Sequence, residues 1–235
     1  MVLASCIKKL WYNYSIKKLQ NNLANNGASA LYAIVETSRM MNIECFPFFG
    51  TLLGVYRECN LISHDTDLDV TMEVNYLSRE LLDNLKNSGF LLDHLGFASD
   101  FRGCILSMLY KGIVTEIYFY YTDNGQQYTY LPCEGNHSWR EYSTINMYPV
   151  KEVVTPEVTS MSFHNFRDSQ IMIPDNTGQI MQSLYGSDYM IPNKGKKGGC
   201  MVKESIPFVK KRWHVLPMDL VDDEILTAIS KCSYK

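Results

Sequence analysis

Between residues 15 and 41 the apolar positions Leu31, Ile34, Val35, Met40 and Met41 recur at helical spacing, which predicts a helix interrupted near Gly27. The period then shortens. Ile43 to Phe49 is a short apolar run stopped by Gly50, the mark of a buried strand. Gly50-Thr51-Leu52-Leu53-Gly54 reads as a turn into a short helix. From Asp67 to Met72 charged and apolar residues alternate, predicting a strand whose two faces differ in kind. Ser78 followed by Arg79, Glu80 and Leu81 opens a helix that Gly89 ends.

Three strands are predicted next, at 90–97, 104–111 and 113–122, the last two joined as a hairpin through Lys111-Gly112. Residues 127–173 read as short strands and loops, and 177–186 and 203–229 as helices. The sum is an α+β fold: a mixed sheet core flanked by helices, with additional helices at the C-terminal end. No repeat, low-complexity tract or linker divides the chain before about residue 192. One domain over 1–235 is therefore expected, with its core at about 28–192 and a helical extension at about 200–230.

Composition narrows the function classes. With 235 residues, 46% hydrophobic and 20% charged, the chain has the material for a full core, which excludes disordered and fibrous classes. A net charge of −3 offers no general attraction for a polyanion, so no nucleic-acid partner is expected. The seven cysteines, at 6, 45, 59, 104, 133, 200 and 232, form no CxxC pair and have no histidine at zinc spacing. Cys45 and Cys104 sit in apolar runs, as reduced thiols do in a reducing compartment. The N-terminal apolar stretch is broken by Lys8 and Lys9, too early for a signal peptide or membrane span. A cytoplasmic location is expected, or the secretory pathway if an anchor has been removed.

The chemistry concentrates between Phe49 and Val70. On a strand, residues two apart share a face, so Asp65, Asp67 and Asp69 point one way and Thr66, Leu68 and Val70 the other. Three crowded carboxylates repel, a cost that a hard divalent cation with oxygen ligands removes; Mg2+ fits best, with Mn2+ as the substitute. Gly50 and Thr51, ahead of a helix, offer backbone N–H groups and a hydroxyl to donor phosphates. Arg57 offers a bidentate phosphate contact, and His64 adjoins the acids. Glu116 is a lone charge in the apolar run Ile113 to Tyr120 and is the candidate for a further ligand or a catalytic base. Trp139 is a candidate for an acceptor site or for the core, and Lys194, Lys196 and Lys197, among glycines, read first as a solvated flexible linker and second as a phosphate-binding loop.

Taken in order, Gly50 to Gly54, Arg57 and Ile62 to Val70 resemble the LicD/fukutin family of phosphotransferases, whose pattern is GTLLG, an Arg and an acidic Ile-Pro-Trp-Asp-Asp-Asp-Ile-Asp-like strand. Thr115 to Phe119 resembles that family's later Val-Asp-Ile-Phe strand, with Glu116 in place of aspartate. Ile173-Pro174 and Leu184 to Pro192 resemble its closing segment, within which Tyr185 and Gly186 shape the pocket. The likeness spans roughly 28–192. Ser63-His64 stands where the family has Pro-Trp, and Thr66 replaces the second acid.

The resemblance implies a nucleotidyltransferase-type core that moves a phospho-linked group, of phosphocholine or phospho-polyol type, from a CDP-linked donor to a glycan hydroxyl. On that reading Asp67, Asp69 and Glu116 are catalytic, and the metal is held by Asp65, Asp67, Asp69 and Glu116. Two other readings use the same residues or none of them: a nucleotidyltransferase that releases pyrophosphate, and an inactive binding module.

Overall fold

The computed structural model describes residues 2–132, 148–192 and 202–232. Trp139 and the lysines at 194, 196 and 197 lie outside them. Helix α1 runs unbroken from Val2 to Met40, so the interruption near Gly27 is not found. Glycine serves packing instead: a Cβ there would lie 2.4 Å from Leu61 Cδ1, so any side chain would make that leucine shift. Among the described residues no helix is long and apolar enough to cross a membrane.

The strand read over Ile43–Phe49 shrinks to β1, Phe46–Pro47. Phe48 is still extended, but Phe49 takes a φ of 41° and turns the chain into α2, Phe49–Glu58. Gly50 and Thr51 therefore belong to the first turn of a helix, not to a turn ahead of one. Strand β2, Asp67–Glu73, follows the alternation of its sequence, with Leu68 and Val70 buried and Asp67 exposed. Helix α3, Arg79–Asn87, is capped by the Ser78 side chain, which accepts from the Leu81 N–H at 3.2 Å.

Strands β3 (Leu91–Ala98), β4 (Cys104–Tyr110) and β5 (Ile113–Asp123) stand as predicted. The β4–β5 hairpin turns through Lys111 and Gly112, both at positive φ, which matches the twist of the strands it joins. Then come β6 (Gln126–Pro132), β7 (Tyr148–Pro156), the separate hairpin of β8 (Met161–Phe166) and β9 (Ser169–Pro174), and helix α4 (Thr177–Tyr185).

The helix read over 203–229 is corrected. Only Asp223–Ser230, α5, is α-helical, after a 3-10 turn at Met218–Leu220; Phe208–Lys211 and Trp213–Pro217 are strands β10 and β11. Pro207 and Pro217 deny this stretch helical hydrogen bonds, and Phe208, Val209, Trp213 and Val215 favour a pleated surface.

The main sheet runs β10-β7-β6-β5-β4-β3-β11, with β2 parallel to β5 and β1 beyond it. The two end strands of that path, β10 and β11, are separated only by Arg212. One residue cannot bridge an open sheet of this width, at about 4.8 Å per strand, so the sheet curls until its ends meet in the manner of a barrel. The buried residues form one apolar cluster, in which Leu31 and Ile34 of α1 join Leu68 and Val70 of β2 and Ile117 and Phe119 of β5.

Candidate active site

Parallel pairing places Asp69 of β2 opposite Glu116 of β5, and antiparallel pairing places Ser107 of β4 opposite Glu116 from the other side. Opposed residues share a face, so Asp69, Glu116 and Ser107 form a row across three strands. Asp67, two residues before Asp69, lies on the same face. Asp65 precedes the strand and reaches the start of α2, where its Oδ2 lies 2.8 Å from the point a Cβ on Gly50 would occupy. Only glycine leaves that carboxylate its place.

Thr51 is buried, and its hydroxyl accepts the Asp69 N–H at 2.9 Å, pinning the acidic strand to α2. The Phe48 N–H donates to the Asp69 carbonyl at 2.9 Å and fixes the same residue from its other side. Arg57 is turned inward: its guanidinium pairs with Glu58 at 2.6 Å and donates to the Tyr189 carbonyl at 3.1 Å. The side chain of His64 is exposed, and its carbonyl accepts from Gln20 at 2.9 Å. Tyr185 ends α4, where burial and then the charges of Asp69 and Asp65 raise its pKa; Gly186 follows at a φ of 94°.

Every acid in the group is held above its ordinary range. Burial, then the charge of Asp67, pushes Asp65 up to about 6, against a partial relief from His64 and Arg57. Asp69 is raised well above the ordinary carboxylate range, by burial first and then by Asp67, Glu116 and Asp65. Glu116 is raised by burial and by Asp67, although hydrogen bonds from Tyr118 and Ser107 oppose the shift. Asp67 is raised by the protein around it, offset by the backbone N–H groups of Thr66 and Asp67, while its outer side stays open to solvent. Four carboxylates thus share one field with little positive charge to offset them.

Among the described residues no three His, Cys, Asp or Glu side chains are gathered closely enough to enclose a metal ion. The acids share an electrostatic neighbourhood rather than a closed cage. Their donor chemistry fits a hard cation: all are carboxylate oxygens, and each carries a cost of ionisation that a dication would reduce. A magnesium site commonly takes one or two carboxylates and fills the rest of its shell with water and substrate phosphate, so an open set suits it.

Two contributors escaped the reading from sequence. Tyr118 donates its hydroxyl to Glu116 at 2.7 Å, and Ser107 hydrogen-bonds the same carboxylate. Signals for both exist: Tyr118 is two residues from Glu116 and so on its face, and Ser107 is the lone polar residue between Cys104 and Leu109.

Comparisons with known proteins bear on this arrangement. The chain is similar to the ribitol-5-phosphate transferase FKTN of Macaca fascicularis, 24% identical over 149 residues that make up 62% of this chain and 29% of that protein. The Homo sapiens and Mus musculus proteins of the same name are each 23% identical over the same length. The chain thus spans less than a third of the length of these relatives. The family described as LicD/FKTN/FKRP, nucleotidyltransferase domain, matches residues 42–176, from β1 through β9 with all four acids inside, and the chain belongs to that family.

Proposed function

We propose that this chain is a metal-dependent transferase that moves a phospho-linked group, of the ribitol phosphate or phosphocholine kind, from a CDP-type nucleotide donor to a glycan hydroxyl. The observation that carries this reading is the pairing of Asp69 with Glu116 across parallel strands, beside Asp67 and Asp65 and against the first turn of α2. The names of the relatives point to ribitol phosphate as the transferred group.

In this account Asp67 and Asp69 are the principal ligands of Mg2+, or Mn2+ in its place, Glu116 completes the set from the next strand, and Asp65 supports it. The cation, when bound, neutralises charge on the donor diphosphate and on the leaving nucleotide. The protein's own part is positioning. The N–H groups at the start of α2, with Gly50 leaving room, face the donor phosphates in the favourable field of a helix N-terminus. Thr51 keeps Asp69 in register with that helix. Arg57, held by Glu58 and the Tyr189 carbonyl, adds positive charge near Asp65. His64 stands at the exposed rim, where a donor head group would pass. Phosphoryl transfer requires little covalent help from a protein, so orientation and charge suffice for most of the acceleration.

The test is product analysis. Incubated with Mg2+, a glycan acceptor and CDP-ribitol, CDP-glycerol or CDP-choline, the protein is expected to release CMP and to extend the acceptor by one phospho-linked group. Asp67→Asn and Asp69→Asn should each reduce turnover by at least about 100-fold, a few kcal/mol of transition-state stabilisation. CMP incorporated into the acceptor with release of the phosphorylated head group, or pyrophosphate release when CTP is supplied instead, would favour nucleotidyl transfer. Turnover that survives both substitutions would remove the mechanism.

A further inference from the structure

If the function proposed above holds, Glu116 must present its carboxylate toward β2 in one orientation, and the structure shows what imposes it. The Tyr118 hydroxyl donates to Glu116 Oε2 at 2.7 Å. Ser107, directly opposite on β4, hydrogen-bonds the same carboxylate. Tyr118 is itself immobilised: its ring meets that of Phe49 edge-on, with centroids 4.9 Å apart and planes at 86°, and only 6% of the residue is exposed. Phe49 is the residue that turns the chain into α2, immediately before Gly50. One aromatic side chain therefore links the Glu116 carboxylate to the start of the helix proposed to face the donor.

We infer that Tyr118, assisted by Ser107, is the positioning residue for Glu116: its neutral hydroxyl occupies part of the carboxylate and leaves the remaining lone pairs directed at the cation shared with Asp69. A carboxylate offers about four acceptor sites, so two hydroxyl donors hold it without exhausting it. Burial, with the charges of Glu116, Asp69 and Asp67, keeps the tyrosine protonated and hence a donor. Glu116 and Tyr118 are two residues apart on one face of β5 and are bonded to each other. A glutamate side chain has one more rotatable bond than an aspartate, and the hydroxyl removes that freedom.

The test is a calorimetric titration of Mn2+ alone into the full chain, at a temperature well below each variant's melting point. Tyr118→Phe retains the ring and its contact with Phe49, and is expected to weaken Mn2+ binding about 5- to 10-fold, the net worth of one hydrogen bond. Glu116→Asp should also weaken it, since the shorter acid withdraws from the hydroxyl. The double variant Tyr118→Phe/Glu116→Asp should bind within about twofold of Glu116→Asp alone, because the lost hydrogen bond is shared. Wild-type affinity in Tyr118→Phe, or single-variant losses that multiply in the double variant, would overturn the inference. Glu116→Gln in the same series separates the two levels. If it loses binding while Tyr118→Phe does not, only the role of Tyr118 falls. If it binds as wild type does, Glu116 is no ligand, and this inference falls together with that part of the proposed function.

Discussion

Gly50 shows how much one hydrogen atom decides. Within a helix, glycine to alanine is ordinarily favourable by up to about 1 kcal/mol. Here the added methyl meets Asp65 Oδ2 at 2.8 Å, and the flexible carboxylate is what must yield. Gly50→Ala should therefore leave the melting temperature within a few degrees of wild type while turnover falls at least about tenfold, the reverse of an ordinary packing mutant. The acids also set a pH dependence. Asp65 has a folded pKa of about 6 against an ordinary 3.8, so the folded state holds its proton more tightly than the unfolded chain does. A group raised in this way stabilises below its unfolded pKa, and that stability is lost as pH rises through the folded value. For Asp65 alone the loss is on the order of 3 kcal/mol. In EDTA, denaturant unfolding should show stability falling between about pH 4 and pH 7, with Asp65→Asn flattening the decline. Millimolar Mg2+ at pH 7 should restore part of it; a metal-free stability that rises over this window would count against the reading. Part of this scale was legible in advance: period-2 alternation puts Asp67 and Asp69 on one face and a lone charge in an apolar run marks Glu116, whereas Asp65, read as part of the same strand, precedes it and lies against Gly50 instead. The partnership of Glu116 with Ser107 depends on strand order, which residue spacing does not carry, whereas that with Tyr118 follows from their two-residue spacing on one strand.

At the scale of elements the reading succeeded where one rule governed a segment. Ser78 and Gly89 bracket α3, and Lys111-Gly112 joins β4 to β5, because capping and hairpin turns are local events. It failed where local signals conflicted. Ile206 and Val209 are three residues apart and mimic a helical face, but the flanking prolines and the demand of an unpaired sheet edge prevail, giving β10 and β11. Gly27 was read as a break although it is a close-packing point, a use of glycine that spacing cannot distinguish from a kink. The same kind of contact carries a prediction in β3. A Cβ on Gly96 would lie 2.9 Å from Trp213 Nε1, and the indole is too rigid to yield as a flexible chain end would. Gly96→Ala is expected to push β11 from β3 and cost about 1–3 kcal/mol, read as a lowered melting temperature. An unchanged melting temperature would show that the seam between β3 and β11 is slack.

The whole molecule combines a site assembled at adjacent strands with a closure made by a distant segment. Residues 42–176 carry the family's match and all four acids, yet β10 and β11, beyond that match, join the two ends of the sheet that contains β5. Helix α1, mostly before the match, packs on β2 and β5 and backs the acidic row from the core side. This division explains why the site was readable as motifs while the architecture was only readable as a class. Motifs are contiguous, whereas closure is a relation between residues more than 100 positions apart, such as Gly96 and Val215. The account's central claim is that acids from two different strands act together on one cation. Its most direct measurement is calorimetric binding of Mg2+, with CDP-ribitol present, to the wild-type chain, Asp69→Asn of β2 and Glu116→Gln of β5. The account predicts saturable binding to the wild type and at least a tenfold loss in each variant, on the order of 1.4 kcal/mol or more. Equal binding by all three proteins would contradict it.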